Sequence, residues 1–307
     1  MARADRGEKV VGVGLAVLDH LLLWRDTSEP VAGNRVVEVD MQGGGMVGTA
    51  LVAVARLGGA GEFWGTVGCD WVGEQILAGL RREGVDVRRV RRVEGRPSPR
   101  VIVCVDAPTG ERHFLHFTGV LEHPGPLAPA KALAGAGCLL VDHTQKQAEL
   151  AAAGEARRLG VPVVGDLSRI DEASEGILSL LDCAIVSESC GGALADGGDL
   201  RTACERIRSM GPARVVITLG ARGLVYLDGE RFGEMPAFTV DVVDTTGAGD
   251  VFHGAFCLAL TEGMAFEERL RFASATAAIK CTRLGGRAGI PGREDVLAFL
   301  RERSRPA

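Results

Sequence analysis

Between residues 138 and 218, short apolar runs alternate with longer stretches of helical spacing, and that rhythm leaves the chain very few architectures. The runs at 138–142, 161–166, 183–187 and 213–218 read as strands, and the segments 145–159, 173–181 and 199–210 between them read as helices. After a short hairpin at 223–232, two strong helices at 250–262 and 267–282 complete the pattern. Repeated strand–helix alternation predicts an α/β fold whose central, mostly parallel sheet is covered by helices on both faces.

The first 120 residues do not keep that rhythm. A strand at Val10–Leu15 is followed by an extended stretch at Leu21–Trp24, a turn-rich segment at Ser28–Asn34 and an alternating run at Arg35–Val39. Gly43-Gly44-Gly45 then leads into an apolar helix, Val47–Leu57, closed by Gly58-Gly59, and a second helix follows at Val72–Arg82. Arg100–Val105 and Arg112–Phe117 are expected to pair as a hairpin about the turn Asp106–Gly110. These early strands suit a small β-sheet lid, formed by about 16–41 and 98–119, on a single domain spanning 1–307.

Charge and cysteine usage narrow the partners. A net charge of −5 and a pI near 5.8 provide no positive field for nucleic acid or an anionic membrane. The arginine-rich stretch from Arg81 to Arg100 could be an anion patch, but reads better as a solvated helix end and edge strand. The eight cysteines are scattered without a CxxC pair, as reduced, mostly buried thiols would be. With no hydrophobic signal core in MARADRGEKVVGVG and no apolar run long enough for a bilayer, a cytoplasmic location is expected.

The strongest chemical signal is Asp244-Thr-Thr-Gly-Ala-Gly-Asp250, which runs into an apolar helix. A glycine-rich turn at a helix N-terminus offers free N–H groups and the positive end of the macrodipole to phosphate. Asp250 falls in the first turn, where a carboxylate can accept a proton or cap the helix. Gly247-Ala248-Gly249 favours chemistry, because a plain cap needs no pair of glycines beside it. Two other glycine patterns fail: Gly12-Val-Gly14 lacks the third glycine and following helix of a dinucleotide turn, and Gly43 to Thr49 lacks the P-loop lysine. Of the six histidines only His143, at a strand end beside Asp142, is placed to touch a substrate.

Asp244–Asp250 resembles the C-terminal signature of the PfkB, or ribokinase-like, family of ATP-dependent sugar kinases. The resemblance implies that Gly247, Ala248 and Gly249 form an anion hole and that Asp250 deprotonates the acceptor hydroxyl. Thr218-Leu-Gly-Ala-Arg-Gly223 is similar to the family's nucleotide turn. The resemblance sets Ser187, Thr218, Gly220, Gly223, Thr246, Ser274, Ala278 and Cys281 around ATP. Val10–Asp19 resembles the opening strand and Gly43-Gly44-Gly45 the N-terminal signature, so Asp19, Gly43, Gly44, Gly45, Gly48 and Asp142 are implied on the sugar side. The tail Ala277–Pro291 resembles the adenine and monovalent-cation end. It implies a K⁺ site near Asp244, Thr246, Gly285 and Gly289, and the resemblance as a whole implies Mg²⁺ with the phosphates. A small-molecule sugar as partner and a homodimer formed through the lid are implied as well.

Val240–Pro291 is most similar to the sulfofructose-kinase and ketohexokinase branch, which points to a ketose-like substrate. Three departures accompany the match. Gly48 stands where the signature carries Asn, leaving room beside the sugar, and Ser187-Glu-Ser-Cys190 replaces the family's Asn-x-x-Glu. No arginine stands at Asp142–Gln145 to hold a sulfonate. The alternatives are a nucleoside kinase of the same fold, with Phe114 and Phe117 as a slot for the base, and a catalytically weak sugar-binding member.

Overall fold

The structure is a computed structural model describing residues 8–24, 36–106, 112–122, 130–170, 172–195 and 198–303. The turn-rich segment 28–34 and the hairpin turn at 107–110 lie outside the described residues. In chain order the strands begin with β1 (Lys9–Val13), β2 (Val17–Trp24), β3 (Val36–Gly44), β4 (Ala60–Trp64) and β5 (Thr66–Gly68). They continue with β6 (Arg91–Val93), β7 (Arg100–Asp106), β8 (Arg112–Phe117), β9 (Ala136–Val141) and β10 (Val163–Leu167). The last are β11 (Cys183–Ser187), β12 (Arg214–Thr218), β13 (Leu224–Asp228) and β14 (Arg231–Met235). The helices are α1 (Met46–Arg56), α2 (Trp71–Arg82), α3 (Lys146–Leu159), α4 (Glu172–Leu178) and α5 (Glu188–Ala195). They end with α6 (Leu200–Ser209), α7 (Ala248–Thr261), α8 (Phe266–Lys280) and α9 (Arg293–Glu302).

The main sheet runs β14-β13-β12-β11-β10-β9-β1-β4, parallel except for the β12–β13–β14 meander. Strands such as AGCLLV in β9 and VVGDL in β10 are buried along their whole length because helices cover both faces. One core packs α1, α7 and α8 against the sheet, and the other packs α3 to α6. α7 is buried from Val251 to Leu260, so it is apolar nearly all round and its position is fixed on every side. The sheet's order reverses between β1 and β9, and there the C-terminal strand ends open the crevice in which α/β folds bind ligands.

The expected small sheet is present as β3-β2-β7-β8. Register assigns its two faces. Asp19, Leu21, Gln42 and Val103 share a small cavity with Asp244, Thr246, Gly285 and Gly286, so that face looks into the cleft. Met41, His20, Ile102 and Leu115 form a row on the opposite face. The arginine-rich stretch is a helix end and a short strand paired to β5, as the sequence suggested. Arg88 pairs with Asp86 at 2.6 Å, Arg89 with Glu62 at 2.8 Å, and Arg92 with Glu74. All eight cysteines are free thiols, and only Cys69 is exposed. Among the described residues no helix is long and apolar enough to cross a membrane.

Candidate active site

α7 begins at Ala248, earlier than the sequence suggested, and Gly247 precedes it with φ 72°. That left-handed backbone is the one a branched residue resists, so Gly247 is required by the turn. At Gly249, in contrast, an added Cβ would meet nothing within 4 Å, so its open face belongs to the cleft. Asp250 is the third helical residue and forms no capping box with the turn, which removes the simple cap reading. Burial pushes its carboxyl up to about 7, and the charge of Asp166 adds to the rise. His253, Arg287 and Asp142 act less strongly, the first two lowering it.

One turn further on, the buried His253 ring has Nδ1 2.7 Å from the Gly249 carbonyl and 3.4 Å from Asp166 Oδ2, with Nε2 3.3 Å from the Ile185 carbonyl. Burial lowers its pKa, while it raises that of Asp166 well above the carboxylate range with help from Asp142. His253 thus ties the first turn of α7 to β10 and β11. The sequence offered no reason to separate it from a core histidine.

Asp142, expected on the sugar side, is wholly buried. Its oxygens accept from Leu15 N at 2.6 Å, from Thr144 N at 3.0 Å and from the Thr144 hydroxyl. It clasps the ends of β1 and β9 and presents no open face to a ligand. His143 beside it is the one non-glycine with positive φ, 72°, among the described residues, a conformation that concentrates at functional sites. Its ring lies 3.4 Å from Ser168 Oγ.

A second residue that sequence reasoning missed is Arg287. Its guanidinium is buried, with Nη2 donating to the Gly44 carbonyl at 2.8 Å and Nε donating to Thr49 Oγ1 at 3.2 Å. A Cβ at Gly43 would collide with Nη1, and one at Gly48 would lie 2.9 Å from Nη2. The room expected beside the sugar at Gly48 is therefore filled by Arg287. Gly44 in turn lets the Asp19 carboxylate lie against the backbone. Burial pushes Asp19 up to about 6, with Arg287 pulling the other way. Burial lowers Arg287 to about 10, opposed by Asp19 and Asp250, so it stays protonated at neutral pH. Arg56, paired with Glu83, donates to the Arg287 carbonyl at 2.7 Å and fixes the loop that carries it. The available signal was an arginine in the glycine-rich run Gly285–Gly289.

A cavity of about 230 Å³ opens on the other side of Gly249. Thr218, Gly220, Gly223, Ser274, Ala278 and Cys281 all line it, as the resemblance implied, together with Phe238, Val240, Thr245 and Phe252. Apolar walls beside a glycine turn and the start of α7 fit an adenine nucleotide with its phosphates toward Gly249. Ser187 and Thr246 do not line this cavity. Ser187 bonds Ser189 at 2.9 Å, and Thr246 faces the cavity that contains Asp19. Among the described residues no group of three or more His, Cys, Asp or Glu side chains could hold a metal ion.

Phe114 and Phe117 do not form one slot. Three residues apart on β8, they point to opposite faces: Phe114 pairs with Val103 and Phe117 with Arg100, whose guanidinium lies 5.6 Å from the Phe117 ring.

The sequence matches the family described as pfkB family carbohydrate kinase over residues 8–293. It is 30% identical over 266 residues to ribokinase of Haemophilus influenzae, covering 84% of this chain and 87% of that one. It is 29% identical over 327 residues to fructokinase-1 of Oryza sativa subsp. japonica, covering 97% and 99%. The solved structure of Arabidopsis thaliana ribokinase complexed with ribose and ATP superposes with a TM-score of 0.88 at 25% identity, covering 96% of this chain and 99% of that one. An α/β sheet with a small second sheet, an apolar cleft beside the glycine turn and a family match over nearly the whole length lead to one conclusion: the chain belongs to the PfkB family of carbohydrate kinases.

Proposed function

We propose that this kinase transfers the γ-phosphoryl group of ATP to a hydroxyl of a free, ketose-like monosaccharide. The observation that carries the reading is the Asp250 carboxylate in the first turn of α7, next to the open face of Gly249, where burial raises its pKa and the charge of Arg287 opposes that rise. ATP and its Mg²⁺ supply the phosphoryl group and neutralise its charge. Asp250 takes the proton from the acceptor hydroxyl, and a pKa near the working pH is what general-base catalysis favours. The amides at the start of α7 stabilise negative charge that develops beside Gly247–Gly249. The small sheet acts as a lid that keeps water from competing for the phosphoryl group.

Asp19 is proposed to accept hydrogen bonds from two sugar hydroxyls. Leaving such a carboxylate unpaired is costly, so Asp19→Ala should raise the sugar KM by roughly 10²-fold with ATP KM nearly unchanged. The ketose reading rests on the similarity of Val240–Pro291 to ketose kinases, and the rice fructokinase supports it. A ribose substrate is the second reading, favoured by the Haemophilus ribokinase. An ADP-release screen comparing kcat/KM for fructose, ribose and adenosine decides. A preference for ribose or adenosine overturns the ketose assignment, and no ADP release with any sugar overturns the kinase mechanism.

The lid face away from the cleft exposes Val39, Met41, Leu115 and Phe117, an apolar group that supports a homodimer through the lid. Sedimentation at micromolar concentration should show a dimer, and a monomer there would refute it. Seven buried thiols fit a reducing cytoplasm.

A further inference from the structure

Lys280, the last residue of α8, has no exposed surface. An ammonium survives such burial only where charge and hydrogen bonds receive it. Here Nζ donates to the Asp244 carbonyl at 2.8 Å and lies 4.0 Å from Asp244 Oδ1. Asp244 is also buried; Oδ1 accepts from Thr246 N at 2.7 Å and Oδ2 from Gly285 N at 2.6 Å. The amides of Val243 and Asp244 add bonds to the Cys281 carbonyl at 2.8 and 3.0 Å.

The segments joined in this way, 244–246 and 285–289, are those expected to hold a monovalent cation. The oxygens of Asp244 do not fit such an ion. The Asp244 carbonyl already receives an ammonium, and a second positive charge a few ångströms away in a buried setting would be strongly repelled. We propose that the Lys280 ammonium replaces the monovalent cation, so that this kinase needs no K⁺ and the turn leading to Gly247 and Asp250 is ordered by a charge built into the chain. The proposal rests on the kinase reading for its effect on turnover, but the cation chemistry can be tested apart from it.

Melting of the ligand-free protein is compared in KCl and choline chloride at equal ionic strength. The wild type should melt at the same temperature in both, and its sugar-dependent ADP release should agree within about twofold. A K⁺-specific rise in melting temperature, or activation by K⁺ of about tenfold, overturns the proposal. Lys280→Ala vacates the site. That variant should lose turnover by roughly tenfold in choline, and K⁺ or NH₄⁺ should restore turnover and raise its melting temperature. Full activity of a folded Lys280→Ala protein in choline, with no response to either ion, also overturns it. If the variant does not fold, the wild-type comparison alone decides. If no sugar is phosphorylated, the kinase reading fails while the melting comparison still tests the cation.

Discussion

An Asp250→Asn enzyme should turn over about 10²–10⁴-fold more slowly than wild type, with KM for ATP and sugar little changed. The amide keeps the shape of the carboxylate but cannot take a proton, so the loss falls on the chemical step. Wild-type kcat/KM should fall as pH drops through about 7, the value to which burial pushes Asp250, and the Asn variant should lose that limb. The fold supplies an internal control. Asp250 has an ordinary value of 3.8 when unfolded and about 7 when folded, so the folded state disfavours its ionised form. Stability contributed by the protonated group is lost as pH rises through 7, and Asn removes that penalty. The variant should therefore melt no lower than wild type above pH 7. Near-normal turnover in a folded variant would show that the base lies elsewhere.

Arg287→Met should lower kcat/KM at pH 7 by about 10²-fold and move the acid limb of the profile to higher pH. The guanidinium is the positive charge that Asp19 and Asp250 share, and it lowers the pKa of both against burial. Without it both carboxyls hold their protons to higher pH, so at neutral pH fewer molecules have an ionised base and an ionised sugar acceptor. Methionine roughly keeps the volume among Gly43, Gly44 and Gly48 but loses the bonds to the Gly44 carbonyl and Thr49. Arg287→Lys should restore much of the limb, because it keeps the charge, but less of the sugar KM, because an ammonium lacks the fork that spans both acceptors. A merely structural arginine would reduce the folded fraction and leave the limb in place. That result would remove Arg287 from the site.

Local pattern was enough for the strand–helix rhythm and for the turn at Asp244–Asp250, because burial on both faces and helix entry are written in neighbouring residues. The same pattern passed over β4, α5 and α9. In AGEFW of β4 the glycine and glutamate break the apolar run, although Glu62 is buried by pairing with Lys9 and Arg89. The opposite faces of Phe114 and Phe117 follow from their odd spacing on β8, and register with β7 makes them explicit. The electrostatic site depended on tertiary structure. Arg287 reaches Thr49 across 238 residues and Lys280 reaches Asp244 across 36. Asp142 has its oxygens occupied because β1 comes to lie beside β9. By itself the sequence determined the α/β architecture, the family, and Asp250 at the head of a glycine turn, all signals carried by residues close together in the chain. Only the tertiary structure decided that Gly43 and Gly48 make room for an arginine, that a lysine stands where a cation was expected, and that Asp250 is poised near neutrality. Burial and charge act through space, and no spacing along the chain records which distant side chains will share one desolvated cleft.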